Sequence, residues 1–296
     1  MIDVLASGPS STIQDLGRPG LAALGVGASG AADRHSLRLA NRLVGNPEGA
    51  AALELTLGGL RLRFGCDARV ALAGAPCAVV AGERRRPLAM GAPERVAAGE
   101  ELRVGVPPAG VRTYLAVAGG IAVEPVLGSR STDTLAGVGP SRLARGDVLP
   151  IGPAPCTPAP AATELAGTAD VAVAAEPVLQ ITPGPRADWF TDGARGLLGA
   201  TAWTVTPDSD RVGVRLDGPP LERCVGGELA PEGMVEGALQ VPPDGRPVLF
   251  LADHPVTGGY PVIAIVAPAD IPLAAQARPG TVLRFRPSRR GLTLFT

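Results

Sequence analysis

Between two apolar runs, nine residues bring together a carboxylate, an imidazole, a hydroxyl and a phenol: Asp253, His254, Pro255, Val256, Thr257, Gly258, Gly259, Tyr260 and Pro261. Asp253 ends the first run, and strand ends are where acids and bases are displayed to a substrate. Gly258 and Gly259 let a backbone approach a ligand closely. Backbone groups in so polar a connection need water or a ligand as partner. We therefore read it as a ligand-facing loop.

A second polar cluster lies near the N-terminus. Residues 7–33 contain STIQDLGRPG and GVGASGAAD, too polar and too rich in glycine for a core helix. Asp33 is either the N-cap of a helix over Arg34–Val44 or a carboxylate in a cleft, and a glycine loop feeding a helix N-terminus can hold an anion. Glu54 sits inside an apolar run, where a carboxylate must be exposed, paired or working. Arg211 and Arg215 share one face of an alternating strand, and can pair with such acids or grip a carboxylate or phosphate.

The elements that must position these residues are mostly short. Residues 248–252 and 262–266 are apolar runs of strand length on either side of the loop. Residues 2–6, 61–64, 69–73, 101–106 and 113–118 also read as strands, several alternating polar and apolar as half-buried strands do. The helix over Arg34–Val44 carries Leu37, Ala40, Leu43 and Val44 on one face, and Gly45, Asn46 and Pro47 stop it. Further on, strands are predicted over 178–182, 202–206, 211–216 and 282–286. Helices are predicted over 188–198, with Trp189, Phe190, Leu197 and Leu198, and over 270–277. A Pro-, Ala- and Thr-rich stretch at 153–176 reads as a linker between a first β-barrel half, 1–152, and a second, 177–296. The halves echo each other weakly, each having a strand that runs into a Gly-Gly pair.

Composition removes several classes of function. Over 296 residues the net charge is −1, so neither nucleic acid nor an anionic membrane is expected as a partner. The 40 glycines and 31 prolines are spread singly between apolar runs, which suits a mostly β chain with a few short helices. Four cysteines without C-x-x-C spacing and two histidines give no expectation of a metal site. No signal peptide or membrane span is read, so the expectation is a cytoplasmic protein with reduced thiols. The chain has no lysine at all, which excludes a P-loop lysine, a Schiff-base lysine and a lysine for attaching biotin or lipoate. No G-x-S-x-G, H-E-x-x-H or strand-to-helix G-x-G-x-x-G is present.

STIQDLGRPG, GVGASGAAD, LANRLVGNPEGAAALELTLGG, QVPPDGRPVLFLAD and TGGYP together resemble the family described as the C subunit of 5-oxoprolinase, KipA-like protein or allophanate hydrolase subunit 2. The same family includes the carboxyltransferase region of urea amidolyase. The motifs run in the family's order over nearly the whole chain. The resemblance implies two cyclophilin-like β-barrel halves and an obligate partner, the KipI-like B subunit, with an A subunit in the bacterial complex. It implies ATP-dependent hydrolysis of a cyclic amide, 5-oxoproline to glutamate, with ATP as co-substrate of the complex. Two alternatives stay open: a carboxyltransferase using biotin carried on another chain, and a non-enzymatic KipA-like regulatory binding subunit.

On that resemblance Asp253 and Asp33 are the candidate catalytic acids. Thr257, Gly258, Gly259 and Tyr260 form the substrate-positioning loop, Gln240 and Asn41 are supporting hydrogen-bond groups, and Arg211, Arg215 and Glu54 join the binding set. One departure from the family pattern falls beside the loop: Val262 stands where family members carry a lysine. His254 is the candidate replacement, although a histidine is only partly charged at neutral pH.

Overall fold

The computed structural model describes residues 1–154, 174–227 and 229–288. The described chain forms two compact units. The first takes Met1–Pro19, Ser29–Asp133 and the described residues from Gly137, and the second takes Gly20–Ala28, Thr134–Ala136 and the described residues from Ala174. The stretch read as a linker lies largely outside the described residues.

Strands β1 (Ile2–Ser7), β2 (Ser10–Gln14), β3 (Ala52–Thr56), β4 (Leu60–Phe64), β5 (Ala68–Gly74) and β6 (Val79–Ala81) open the first unit. They are followed by β7 (Arg86–Leu88), β8 (Glu94–Val96), β9 (Glu101–Val104), β10 (Arg112–Val117) and β11 (Val148–Leu149). They form a six-stranded sheet, β11-β1-β4-β9-β6-β7, and a five-stranded sheet, β2-β3-β10-β5-β8. β4 alternates as expected, with Leu60, Leu62 and Phe64 buried in the core and Arg61 and Arg63 exposed. β10 is buried along its whole length. Leu115 and Val117 join the main core, and Tyr114 and Ala116 join a second cluster with helix α1 (Arg34–Val44). A strand covered on both faces loses the alternation that marks a half-buried one.

Helix α1 forms as its local signals require. Asp33 accepts the N–H of Ser36, Gly45 takes the left-handed conformation at φ 81°, and Leu37, Ala40, Leu43 and Val44 are buried. The polar run before it is not one loop, because β2 occupies its first part. Ser11, Thr12 and Gln14 of that strand are buried through hydrogen bonds: Ser11 Oγ donates to Ser7 O, and Gln14 Nε2 donates to Thr12 Oγ1 and Thr132 O. A strand that buries polar side chains leaves no hydrophobic period to read.

The second unit contains β12 (Val178–Pro183), helix α2 (Asp192–Ala200), β13 (Trp203–Val205), β14 (Gly213–Asp217), β15 (Glu232–Gly233) and β16 (Ala238–Gln240). Then come β17 (Val248–Phe250), β18 (Thr257–Gly258), β19 (Val262–Val266), helix α3 (Ile271–Ala275) and β20 (Val282–Pro287). Seven strands close a barrel in the order β12-β19-β16-β17-β14-β13-β20, and β15 pairs with β18 as a separate ribbon. The closing pair, β12 with β20, is parallel.

The helix expected over 188–198 is two pieces, a 3-10 turn at Ala187–Trp189 and then α2. Phe190 breaks it by going extended, buried and bridged to Arg223, after which the Thr191 side chain caps α2 by accepting Ala194 N–H. No described helix is long and apolar enough to cross a membrane.

Candidate functional site

In the second unit the apolar runs around the loop are strands β17 and β19, and the loop between them reaches the surface. Thr257 and Gly259 are exposed, and Tyr260 keeps 44% of its surface. Beneath it, Gln240 Nε2 donates to Tyr260 O at 3.2 Å. A Cβ at Gly258 would meet Gln240 Nε2 at 2.6 Å and Met234 Sδ at 3.1 Å, so a larger residue there would have to push the ends of both side chains aside. The structure places Gln240 beneath the stretch of Thr257, Gly258, Gly259 and Tyr260.

Asp253 lies at the root of this loop and is only 1% exposed. Its Oδ2 accepts Arg211 Nε at 2.9 Å, Thr134 N–H at 2.9 Å and Thr134 Oγ1 at 2.7 Å, while Oδ1 accepts Arg211 Nη2 at 2.9 Å. Backbone contacts run alongside, with Asp253 N donating to Arg211 O. A planar guanidinium gripping a carboxylate through two parallel bonds fixes both side chains. This geometry holds the loop's first residue in place and occupies both of its oxygens.

Arg215 does not belong to that arrangement, contrary to the shared strand face read from sequence. Arg211 precedes β14, because Asp210 Oδ1 accepts the N–H groups of Val212 and Gly213 and turns the chain there. Arg211 ends up 5% exposed against Asp253, and Arg215 lies on the exposed face of β14. Thr134 was not singled out from sequence. A lone threonine 119 residues from its partner gives no local signal.

His254 is half-buried, with Nδ1 2.8 Å from Pro255 O and its ring 6.4 Å from that of Phe250. Val262 is buried beside Met234, Ala238 and Phe250. A lysine there would run its stem through that cluster to bring its ammonium to water.

In the first unit, Asp33 and Glu54 meet around Tyr114. Asp33 Oδ1 and Oδ2 accept Ser36 N–H at 3.0 Å and Ser36 Oγ at 2.6 Å, which makes Asp33 the helix cap. Tyr114 OH accepts Asp33 N–H at 2.8 Å and donates to Glu54 Oε2 at 2.6 Å. Ala32 N–H also reaches Glu54 Oε2, and Arg112 Nε lies 3.5 Å from Oε1. Burial, then the Glu54 and Asp33 carboxylates, hold the Tyr114 phenol well above its ordinary pKa, so it stays a neutral donor. Glu54 is thus paired, and the whole group ties the start of α1 to β3 and β10.

Asn41 is not available as a substrate group. Its Nδ2 donates to Glu48 O and Ala50 O, and its Oδ1 accepts Asn46 Nδ2, so its amide fixes the turn after α1.

The STIQDLGRPG motif makes a further clamp in this unit that sequence reasoning did not assign. Asp15 accepts Gly17 N–H, Ser129 Oγ, Ser131 Oγ and Arg130 N–H at 2.5–2.8 Å. Arg18, 2% exposed, donates to Ser131 O and Val126 O. Among the described residues, no three His, Cys, Asp or Glu side chains are grouped as a metal ion would require.

Comparison with known proteins bears on the chemistry. The family described as carboxyltransferase domain, subdomain A and B, matches residues 24–287. The chain is 37% identical over 288 residues to the C subunit of 5-oxoprolinase from Escherichia coli strain K12, spanning 96% of this chain and 90% of that protein. It is 35% identical over 311 residues to urea amidolyase of Lachancea kluyveri, spanning 96% of this chain and 17% of that one. The solved K. lactis urea carboxylase matches with a TM-score of 0.89 at 32% identity, over 98% of this chain and 28% of that one.

Proposed function

The chain belongs to the carboxyltransferase domain A and B family, and from that premise we propose that it is one component of an ATP-dependent amide-ring hydrolase of the 5-oxoprolinase type. It acts with two others, a KipI-like B subunit plus an A subunit. The complex takes 5-oxoproline, ATP and water to glutamate, ADP and phosphate. The observation that carries this reading is the match along 90% of the length of the 5-oxoprolinase C subunit, against 17% of urea amidolyase.

The loop of Thr257, Gly258, Gly259 and Tyr260 is the substrate-positioning element, and its exposure above Gln240 supports that role. Asp253 serves it by position, since its oxygens are already held by Arg211 and Thr134. Opening a lactam with water requires the ring carbonyl to be activated, and ATP supplies that in the complex. Arginines and backbone N–H groups stabilise the developing charge, as the chain has no lysine.

The test is 5-oxoproline-dependent ATP hydrolysis by the chain purified with its A and B partners. Turnover that needs all components, and that falls at least about tenfold in Asp253→Asn, is the expected outcome. Full activity in Asp253→Asn would remove that residue from the account.

The second reading, a biotin-dependent carboxyltransferase, is favoured by the urea carboxylase match. Biotin then arrives on another chain, as no lysine is present here to carry it. Avidin-sensitive carboxylation of urea, with no turnover of 5-oxoproline, would replace the first reading by the second. Tight partner binding with no turnover on lactam, urea or allophanate would replace both by a KipA-like regulatory role.

A further inference from the structure

The ribbon of β15 and β18 holds the glycine-paired loop, yet it has just two paired positions, Glu232 with Gly258 and Gly233 with Thr257. Two strands of this length do not hold themselves together in water. Something outside the ribbon must fix it.

Two of the contacts that do so come from nearby. Met234 N–H donates to Val256 O, and Gln240 Nε2 reaches Tyr260 O. A third comes from the turn that follows β12. Arg186 Nε donates to Glu232 Oε1 at 2.9 Å and Oε2 at 3.1 Å, and its Nη2 also donates to Oε1. Glu232 is the residue opposite Gly258, so the guanidinium grips the ribbon at the register position of the first loop glycine. The Arg186 N–H donates to Val262 O, just past the loop, at 3.2 Å. Its Cζ lies 6.0 Å from the centroid of the Trp189 ring, a second brace on the fork. One residue thus holds both the strand that faces the loop and the strand that leaves it.

We propose that Arg186 is a positioning residue for the loop of Thr257, Gly258, Gly259 and Tyr260, an inference that rests on the substrate-loop reading above. A bidentate pair sets angle as well as distance, which suits a loop whose glycines cannot set their own path. The pair is partly exposed, with 36% and 29% of the two side chains open to water. An ion pair in that setting adds little to global stability. Its loss therefore shows in the order of the loop and in substrate affinity, not in melting.

The experiment uses the full chain in complex with its partners and compares Arg186→Ala, Arg186→Lys, Glu232→Gln and Gly258→Ala. For Arg186→Ala the expected result is a KM for 5-oxoproline raised about tenfold with kcat changed less than about threefold. Glu232→Gln should reproduce it and Arg186→Lys should recover part, since an ammonium keeps the charge without the fork. Amide exchange should speed up over residues 232–234 and 256–260 and stay unchanged in β16, β17 and β19. Unchanged KM and unchanged exchange in Arg186→Ala overturn the inference. Faster exchange throughout the barrel also overturns it, by assigning Arg186 a purely structural part. Gly258→Ala separates the two levels: if it too keeps a normal KM, the substrate-loop reading fails, and the exchange measurement alone then decides whether Arg186 holds the ribbon.

Discussion

Asp33 opens helix α1 and Asp253 opens the loop after β17, and both aspartates are almost fully buried, at 0% and 1% exposure. They are held in opposite ways. The cap on Asp33 comes from Ser36, three residues along the chain, and from the N-terminus of the helix it begins. Asp253 is held by Arg211, 42 residues away, and by Thr134, 119 residues away. Asp33 thus accepts hydrogen bonds from a residue of its own helix, and Asp253 accepts them from a full opposite charge. An acid held by an ion pair loses most of its compensation at once.

The sharpest way to break that contrast is Arg211→Met, which leaves Asp253 buried without its cation. A loss of about 3–5 kcal/mol is expected in urea unfolding. A loss below about 1 kcal/mol would mean that the pair is not what stabilises Asp253.

Tyr114→Phe tests the other site, where the hydroxyl links Asp33 N–H to Glu54. Losing a buried hydrogen bond to a charged group should cost about 1.5–3 kcal/mol by the same measurement. Tyr114 also gives the site a pH signature. Its pKa is raised in the folded state, so the stability it contributes is complete below the ordinary phenol value near 10 and is lost as pH rises through the folded value. Stability of the parent chain should therefore fall above about pH 10, by up to about 1.4 kcal/mol per pH unit, and the Phe variant should lack that component. Parallel curves for parent and variant would sink it.

Asp33→Ala should cost about 1–2 kcal/mol and Asp33→Asn only a few tenths, because asparagine caps nearly as well. Equal losses in the two would make the charge, and not the cap, what matters there. Thr134→Val is expected to cost about 1 kcal/mol, read as a shift in urea midpoint, since Asp253 keeps Arg211 and the Thr134 N–H.

The same contrast explains what could be read from the chain. Helix α1 was legible because its cap, its apolar face and its glycine stop lie within thirteen consecutive residues, from Asp33 to Gly45. β4 was legible because water on one face enforces alternation. The partners of Asp253 were not, because the turn at Asp210 lifts Arg211 off the strand pattern that grouped it with Arg215. β2 was missed because its buried residues are polar, and the 188–198 helix was over-extended because Phe190 satisfies itself across the chain with Arg223. The loop at Gly258 was recognisable from its glycines. Its bracing by Arg186 was not, because the arginine reaches it across 46 residues.

The parallel pairing of β12 with β20, from Val178 with Arg284 to Ile181 with Pro287, carries its own consequence. It joins the first and last described strands of the second unit, so the barrel closes only when β20 is in place. A nascent polypeptide that stops short of Val282 leaves β12 and β13 each with a bare hydrogen-bonding edge, the kind of surface that recruits foreign strands. The barrel thus reaches protection in one late step, when β20 is laid down.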